Sequence, residues 1–404
     1  MSKHDALLAK AISAHQAGRL NEAAADYQRV LRRRPGDPDA LHFFGLLQFH
    51  QRKSDKAVEL ITRSLTIAPG NPHAWNNLGN ILSTQDKATD AKDAYRRVTS
   101  LAPSMPEAWF NLGICLRDEG QFDEAAEHFR QAIDAQPDFL RAYEALGMLH
   151  YRLGQFQSAA EIYQRWSDRD PANPVARHMA AAATGLNAPA RAADEYVATL
   201  FDKYASAFDE NLKALGYRAP ELVATAVAQQ ISRPDGSLAI LDAGCGTGLC
   251  GPLLRPFFRT LTGVDLSARM IDHARERGGY NELAVGELCA FMRGRERSFD
   301  VIVSADTLVY FGALEGVCAA ANRSLRRDGL LVFTVEALLN GSPPYQLQVH
   351  GRYAHRETYI RETLLRSGFE ILQISRETLR MERMQEVAGY LAVARRSEGL
   401  TVDR

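Results

Sequence analysis

Five prolines, Pro35, Pro69, Pro103, Pro137 and Pro171, stand 34 residues apart, and other columns keep the same step. Ala23, Ala57, Ala91, Ala125 and Ala159 form one, and Gly45, Gly79, Gly113 and Gly147, led by Ala11, form another. A large residue precedes each of these small ones by four: Leu7, Leu41, Trp75, Trp109 and Tyr143. Tyr27, Ile61, Tyr95, Phe129 and Tyr163 fill a further column. Such a period cannot belong to one closed core; it belongs to a stack of like units that bury their faces against neighbours. Each unit reads as helix-turn-helix. The small residue of the first helix and the alanine of the second let the axes approach, the large residues act as knobs between units, and the proline ends the second helix.

Segments such as WNNLGN at 75–80 and WFNLG at 109–113 resemble tetratricopeptide repeats, and the resemblance covers roughly residues 4–172. The alanine-rich run NPVARHMAAAATG then predicts one more helix, capping the apolar end of the stack. The Gly, Asn and Pro punctuation of GLNAPARA at 185–192 places the domain boundary there. Residues 1–190 are thus expected to hold five repeats and a cap, an all-α superhelix, with a second domain over 191–404.

From Leu238 the pattern changes. LAILDAG, LTGVDLS, LAVGEL, FDVIVSADT and GLLVFTVEA read as strands separated by helical spacers, which predicts a parallel, doubly wound α/β sheet. FEILQIS and AGYLAVARR are expected as two final strands, antiparallel if a short turn joins them. Between the halves, residues 194–230 read as two or three helices. Tyr204 and Phe208 lie four apart there, so one helix would carry both on a face able to close over a ligand.

The loop after the first strand runs Asp242-Ala-Gly244-Cys-Gly246-Thr-Gly248. Glycines let backbone pass close to a ligand, and in such sheets ligands sit at the carboxyl ends of the strands. Gly246, Gly248 and Gly251 also fit the dinucleotide fingerprint, so NAD has to be weighed. Asp242, two residues before Gly244, would repel a diphosphate but tolerates an ammonium and a sulfonium. Asp265, at the end of the second strand, suits two ribose hydroxyls. Glu287, at the end of the third, could accept an adenine amino hydrogen.

Together LDAGCGTG, VDLS, VGEL and SADTLVYF resemble the successive motifs of class I S-adenosylmethionine-dependent methyltransferases, over residues 194–404. With repeats in front, the chain is similar to a bacterial group of such enzymes. The resemblance implies a seven-stranded Rossmann-like domain binding S-adenosylmethionine. It implies that Gly244, Gly246 and Gly248 hold the methionine part with Asp242, that Asp265 and Leu266 meet the ribose, and that Glu287 and Leu288 meet the adenine. The third-strand motif ends more often in Asp than in Glu, a departure at Glu287. Asp306 is expected beside the cofactor, and Tyr204 as an aromatic wall near the sulfonium. His355, Tyr310 and Glu336 are the candidate proton-transfer groups; His355 has an ordinary pKa near neutrality. Asp202 and Asp209 are expected to pair with Lys203 or Arg218.

The acceptor is expected to be a small molecule or a carrier- or peptide-borne group. SADT lacks the Asn/Asp-Pro-Pro-Tyr run of enzymes that methylate exocyclic or amide nitrogens. Asn77 and Asn111, in one column of successive repeats, could bind an extended peptide through their amides. A non-catalytic repeat scaffold with a cofactor-binding domain is the rival reading. The balance of 48 basic against 49 acidic residues offers no pull toward nucleic acid or lipid. Five unpatterned cysteines suggest neither a metal site nor a disulfide framework and fit a cytoplasmic protein. The N-terminal residues carry no secretory h-region, and the longest apolar run, Leu330–Leu339, contains Glu336 and is too short to span a bilayer.

Overall fold

Residues 2–231, 233–382 and 384–397 are described here from a computed structural model. By its internal contacts the chain divides into two compact units, Met1–His150 and Tyr151–Arg404.

The first unit is built of antiparallel helix pairs: α1 Lys3–Gln16 with α2 Leu20–Arg33, α3 Pro38–His50 with α4 Ser54–Ile67, α5 Pro72–Ser83 with α6 Ala88–Leu101, and α7 Pro106–Asp118 with α8 Phe122–Ala135. The next helix, α9 Leu140–Arg152, runs across the division. Helices α3, α5 and α7 each open on proline, whose missing N–H costs nothing in a first turn. Asp37 and Asn71 cap two of them, accepting from Ala40 N (2.9 Å) and Ala74 N (3.2 Å). The glycine and aromatic columns face each other within a repeat. A Cβ at Gly45, Gly79 or Gly113 would stand 2.6, 2.6 or 2.7 Å from Ile61, Tyr95 or Phe129, so the small residue is what lets the large one in. The other large column pins the proline column. Trp75 Nε1 donates to Pro69 O (2.8 Å), Trp109 Nε1 to Pro103 O (2.8 Å) and Tyr143 OH to Pro137 O (3.1 Å), each six residues back.

The second unit opens with α10 Phe156–Arg169 and α11 Pro174–Thr184, followed by α12 Asp194–Tyr204, α13 Phe208–Ala214 and α14 Ala219–Gln230. The sheet strands are β1 Leu238–Ala243, β2 Phe258–Asp265, β3 Glu282–Val285, β4 Phe299–Ser304, β5 Leu325–Ala337, β6 Tyr345–Leu347, β7 Tyr353–His355, β8 Phe369–Glu382 and β9 Gln385–Arg396. Between them lie α15 Cys250–Leu254, α16 Ala268–Arg277, α17 Leu288–Arg293, α18 Glu315–Ser324 and α19 Glu357–Arg366. Strands β3-β2-β1-β4-β5 are parallel neighbours; β9 joins β5 antiparallel and β8 joins β9 antiparallel. Those seven strands are the expected Rossmann-like sheet. Apolar residues cover both faces. Phe333, Val335 and Leu364 belong to one core and Ile240, Val332 and Val393 to the other, as a buried parallel sheet needs.

Two features were not foreseen. Strands β8 and β9 run well past the expected segments, pairing from Phe369↔Arg396 out to Glu382↔Gln385. The short hairpin β6–β7 adds to the end of β5, pairing Glu336↔Ala354. This hairpin explains why the contacts divide the chain before residue 190. Ala181 and Ala182 of α11 pack on Leu347 and Tyr353, His178 Nε2 donates to Gly351 O (2.8 Å), and the Tyr353 hydroxyl donates to Pro189 O (2.5 Å). The cap helix therefore goes with the sheet in the contact division.

Candidate active site

The parallel strands end together above the sheet, and a cleft opens there between the loops after β1, β2, β3 and β4 and helices α12–α14. The glycines of the β1 loop divide the work. Gly244, at φ +80°, leaves no room for a side chain, since a Cβ would fall 2.2 Å from Thr307 Oγ1. Gly248 and Gly251 are filled from below by the Tyr280 ring, 3.0 Å from where each Cβ would be. Gly244 and Gly246 both line the cleft, and Gly246, at φ +53°, has open space beside it, the nearest atom being Phe208 Cε1 at 3.9 Å.

Asp265, at the end of β2, stands on the cleft wall beside Leu266. Its Oδ2 accepts from Gly246 N (3.0 Å) and its Oδ1 from Ser267 N (2.9 Å), which ties the glycine loop to the acid and leaves lone pairs on both oxygens. Burial raises its pKa above the usual carboxylate value. Ser267 caps α16 and is itself held by Asp202, while Asp209 accepts from Thr247 Oγ1 (2.6 Å) and pairs with Arg277. Both aspartates thus have partners besides the expected Lys203 or Arg218. They fasten the lead-in helices to the loop and to α16.

Several predicted residues lie elsewhere than expected. Asp242 does not line the cleft. It is fully buried beneath the loop, with Oδ2 accepting from the Tyr280 hydroxyl (2.6 Å) and Oδ1 without a hydrogen-bond partner among the described residues. Burial pushes its pKa up to about 7 despite the Tyr280 bond. Glu287 caps α17 through Cys289 N (2.8 Å) and Ala290 N (2.6 Å) and pairs with Arg191, so its carboxylate serves a helix end; its neighbours Gly286 and Leu288 line the cleft instead. Tyr204 is displaced because a 3-10 turn, Ala205–Ala207, breaks the expected helix. Phe201 and Phe208 take the wall, ring edge to face at 5.7 Å, with Phe201 also edge-on to Tyr310 at 5.5 Å.

Of the proton-transfer candidates only Tyr310 faces the cleft, its hydroxyl pushed up to about 12 by burial. His355 is fully buried in β7, Nε2 donating to Phe311 O (2.8 Å), and burial lowers its pKa to about 4; it is a structural histidine off the cleft. Glu336 is enclosed by Arg352 Nε (2.6 Å), His350 Nε2 (3.2 Å) and Arg380. Burial alone would raise its pKa, but the Arg352 and Arg380 guanidiniums and the His350 hydrogen bond hold it well below the usual range, which removes it as a base.

Reasoning from sequence missed the two groups that shape the far end of the cleft, Arg380 and Glu382. Arg380 is 3% exposed and donates to Asp306 Oδ2 (2.6 Å), Glu382 Oε1 (2.7 Å) and Glu336. Arg352 donates to Glu336 and to Glu382 Oε1 (2.6 Å).

Comparison with known proteins gives the class. Residues 241–333 match the family model described as a methyltransferase domain, and residues 8–72, 76–138 and 116–174 match that of the tetratricopeptide repeat. The chain carries tetratricopeptide repeats followed by a methyltransferase domain. It is similar to human methyltransferase-like protein 27, 35% identical over 113 residues, 27% of this chain and 45% of that protein. It is also similar to malonyl-[acyl-carrier protein] O-methyltransferase of Acetivibrio thermocellus, 35% identical over 101 residues, 24% of this chain and 35% of that one. Magnesium-protoporphyrin O-methyltransferase of Rhodobacter capsulatus is 32% identical over 101 residues, 24% of this chain and 44% of that one. The chain spans less than half the length of these curated relatives. Among solved structures, MamA aligns at 22% identity with a TM-score of 0.38, covering 43% of this chain and 96% of that one.

Proposed function

We propose that the chain is an S-adenosylmethionine-dependent methyltransferase whose repeats hold a protein or peptide partner. One observation carries the cofactor reading: Asp265 stands on the wall of a cleft also lined by the glycine loop from Gly244 to Thr247, its two carboxylate oxygens each keeping lone pairs beyond their backbone bonds. That pairing of a backbone-anchored acid with a glycine loop fits a nucleoside with two ribose hydroxyls and a polar tail against the loop. Asp265 and Leu266 would hold the ribose, Leu288 with the backbone at Gly286 would flank the adenine, and Gly244–Gly246 would carry the methionine part. When bound, the cofactor supplies an electrophilic methyl group on a sulfonium. Phe201, Phe208 and Tyr310 keep that end of the cleft apolar and exclude water, so the protein's contribution is orientation and desolvation.

Residues 191–404 form the transferase and residues 1–190 the repeats in this reading. Among the described residues all five cysteines are unpaired, which supports a reducing, cytoplasmic setting, and no helix is long and apolar enough to cross a membrane. The repeat column at Asn77 and Asn111 supports an extended peptide partner through the amide carbonyl and the second N–H of each side chain. The Asn77 amide pairs with His42 Nε2 (2.9 Å) and the Asn111 amide donates to Asn80 Oδ1 (3.0 Å). Replacing Asp265 by Ala tests the cofactor reading. Calorimetric affinity for S-adenosylmethionine should fall by about 1–3 kcal/mol, and a dissociation constant within twofold of wild type overturns the ribose assignment.

A further inference from the structure

Asp306 follows β4, and three of its features together fix where its carboxylate stands. Its backbone is in the left-handed region at φ +55°, which costs energy for a residue other than glycine. That conformation is held from two sides: Thr334 Oγ1 accepts from Asp306 N (2.8 Å), and Arg380 Nη1 donates to Oδ2 (2.6 Å). The other oxygen, Oδ1, is buried and has no hydrogen-bond partner among the described residues, on a side chain that lines the cleft. A buried carboxylate oxygen left without a donor is costly unless something brings one.

The charges around it say what can bring it. Three arginines line the cleft, and each is already committed to carboxylates: Arg191 to Asp194 and Glu287, Arg352 to Glu336 and Glu382, Arg380 to Asp306, Glu336 and Glu382. Around Asp306 two guanidiniums, Arg352 and Arg380, are shared among three carboxylates, Asp306, Glu336 and Glu382. No arginine of this wall is left to neutralise an incoming anion. A further carboxylate there would sit beside three others at low dielectric with no guanidinium of its own.

We propose that Asp306 faces the methyl acceptor, that its unpartnered Oδ1 receives the proton the acceptor gives up, and that the acceptor group is an N–H or O–H donor and not a carboxylate. This rests on the reading of the cleft as an S-adenosylmethionine site. The acceptor's lone pair forms the new bond to the methyl carbon, the carbon–sulfur bond breaks with its electron pair kept by sulfur, and the acceptor's proton passes to Oδ1. Arg380, Glu336 and Thr334 act as positioning residues that aim the carboxylate. Burial raises the Asp306 pKa, which favours a carboxylate that takes up a proton.

The test needs no substrate. Sinefungin carries an amine where the cofactor carries its transferable methyl, and S-adenosylhomocysteine has nothing there. Calorimetry on the full chain should show sinefungin binding at least fivefold more tightly than S-adenosylhomocysteine. In Asp306→Asn that preference should fall below twofold with S-adenosylhomocysteine affinity within threefold of wild type. A wild-type preference under fivefold, or one that survives in the variant, overturns the assignment and leaves the cofactor reading standing. Loss of S-adenosylhomocysteine binding in a variant folded by circular dichroism also overturns it, since Asp306 would then touch the cofactor itself. If the variant does not fold, the wild-type preference alone decides, fivefold or more in favour. Failure of wild type to bind either compound overturns the cofactor reading and the proposal together.

Discussion

Asp242 makes the folded state of β1 pH-dependent. In the folded chain it holds a proton up to about pH 7, whereas an exposed aspartate ionises near 3.8. Below about pH 4 both states carry the proton and the group contributes nothing to the difference. Between there and about pH 7 the unfolded chain ionises while the folded one does not, so stability falls with rising pH by about 1.4 kcal/mol per pH unit. Above that the loss is constant, and the gap between 3.8 and about 7 makes it about 4 kcal/mol. Asp242→Asn abolishes the titration. It also buries an amide where Oδ1 has no partner, a cost of about 1–3 kcal/mol that does not depend on pH. The quantity to follow is therefore the difference between variant and wild type. Hydrogen exchange at peptides spanning Leu238–Ala243 gives the opening free energy of that strand without assuming all-or-none unfolding of a two-unit chain. Relative to wild type, the variant should gain about 4 kcal/mol between about pH 4 and about pH 8. A difference that stays flat across that range refutes a protonated Asp242 in the free protein.

Arg380→Leu leaves Glu336, Glu382 and Asp306 short of their shared cation. It should destabilise the sheet unit by about 3–5 kcal/mol, read as earlier urea unfolding, and an unchanged midpoint contradicts the network. Gly244→Val places its side chain on Thr307 at a positive φ, so exchange protection of β1 and β4 should be lost while the helices of residues 3–135 keep theirs. His355→Gln keeps a donor for Phe311 O away from the cleft. Its affinity for S-adenosylhomocysteine should stay within twofold of wild type, and a tenfold loss would return the histidine to the site.

The parts of this architecture that repeat or alternate were legible in the sequence. Pro35 to Pro171 and the columns beside them report local geometry that each unit must satisfy on its own, and the closely packed pairs Gly79–Tyr95 and Gly113–Phe129 show why both columns exist. The strands from LAILDAG to GLLVFTVEA were legible because a sheet buried on both faces demands apolar runs. What stayed hidden depends on distant partners. Glu287 looks like a strand-end acid until α17 shows its first-turn N–H groups to it. Asp242 reads as a ligand-facing acid until Tyr280, 38 residues on, takes its oxygen. Arg380 lies 74 residues from Asp306 in a strand whose spacing carries no mark of a buried cation. Tyr204 was misplaced by a single 3-10 turn, which shifted the wall to Phe201.

The central claim is that the cleft above β1, β2 and β4 binds S-adenosylmethionine, and isothermal titration of the purified full chain with S-adenosylmethionine and S-adenosylhomocysteine tests it most directly. The account predicts saturable binding of both in the micromolar range, weakened in Asp265→Ala. Absence of heat with either ligand, in protein shown to be folded, would contradict it.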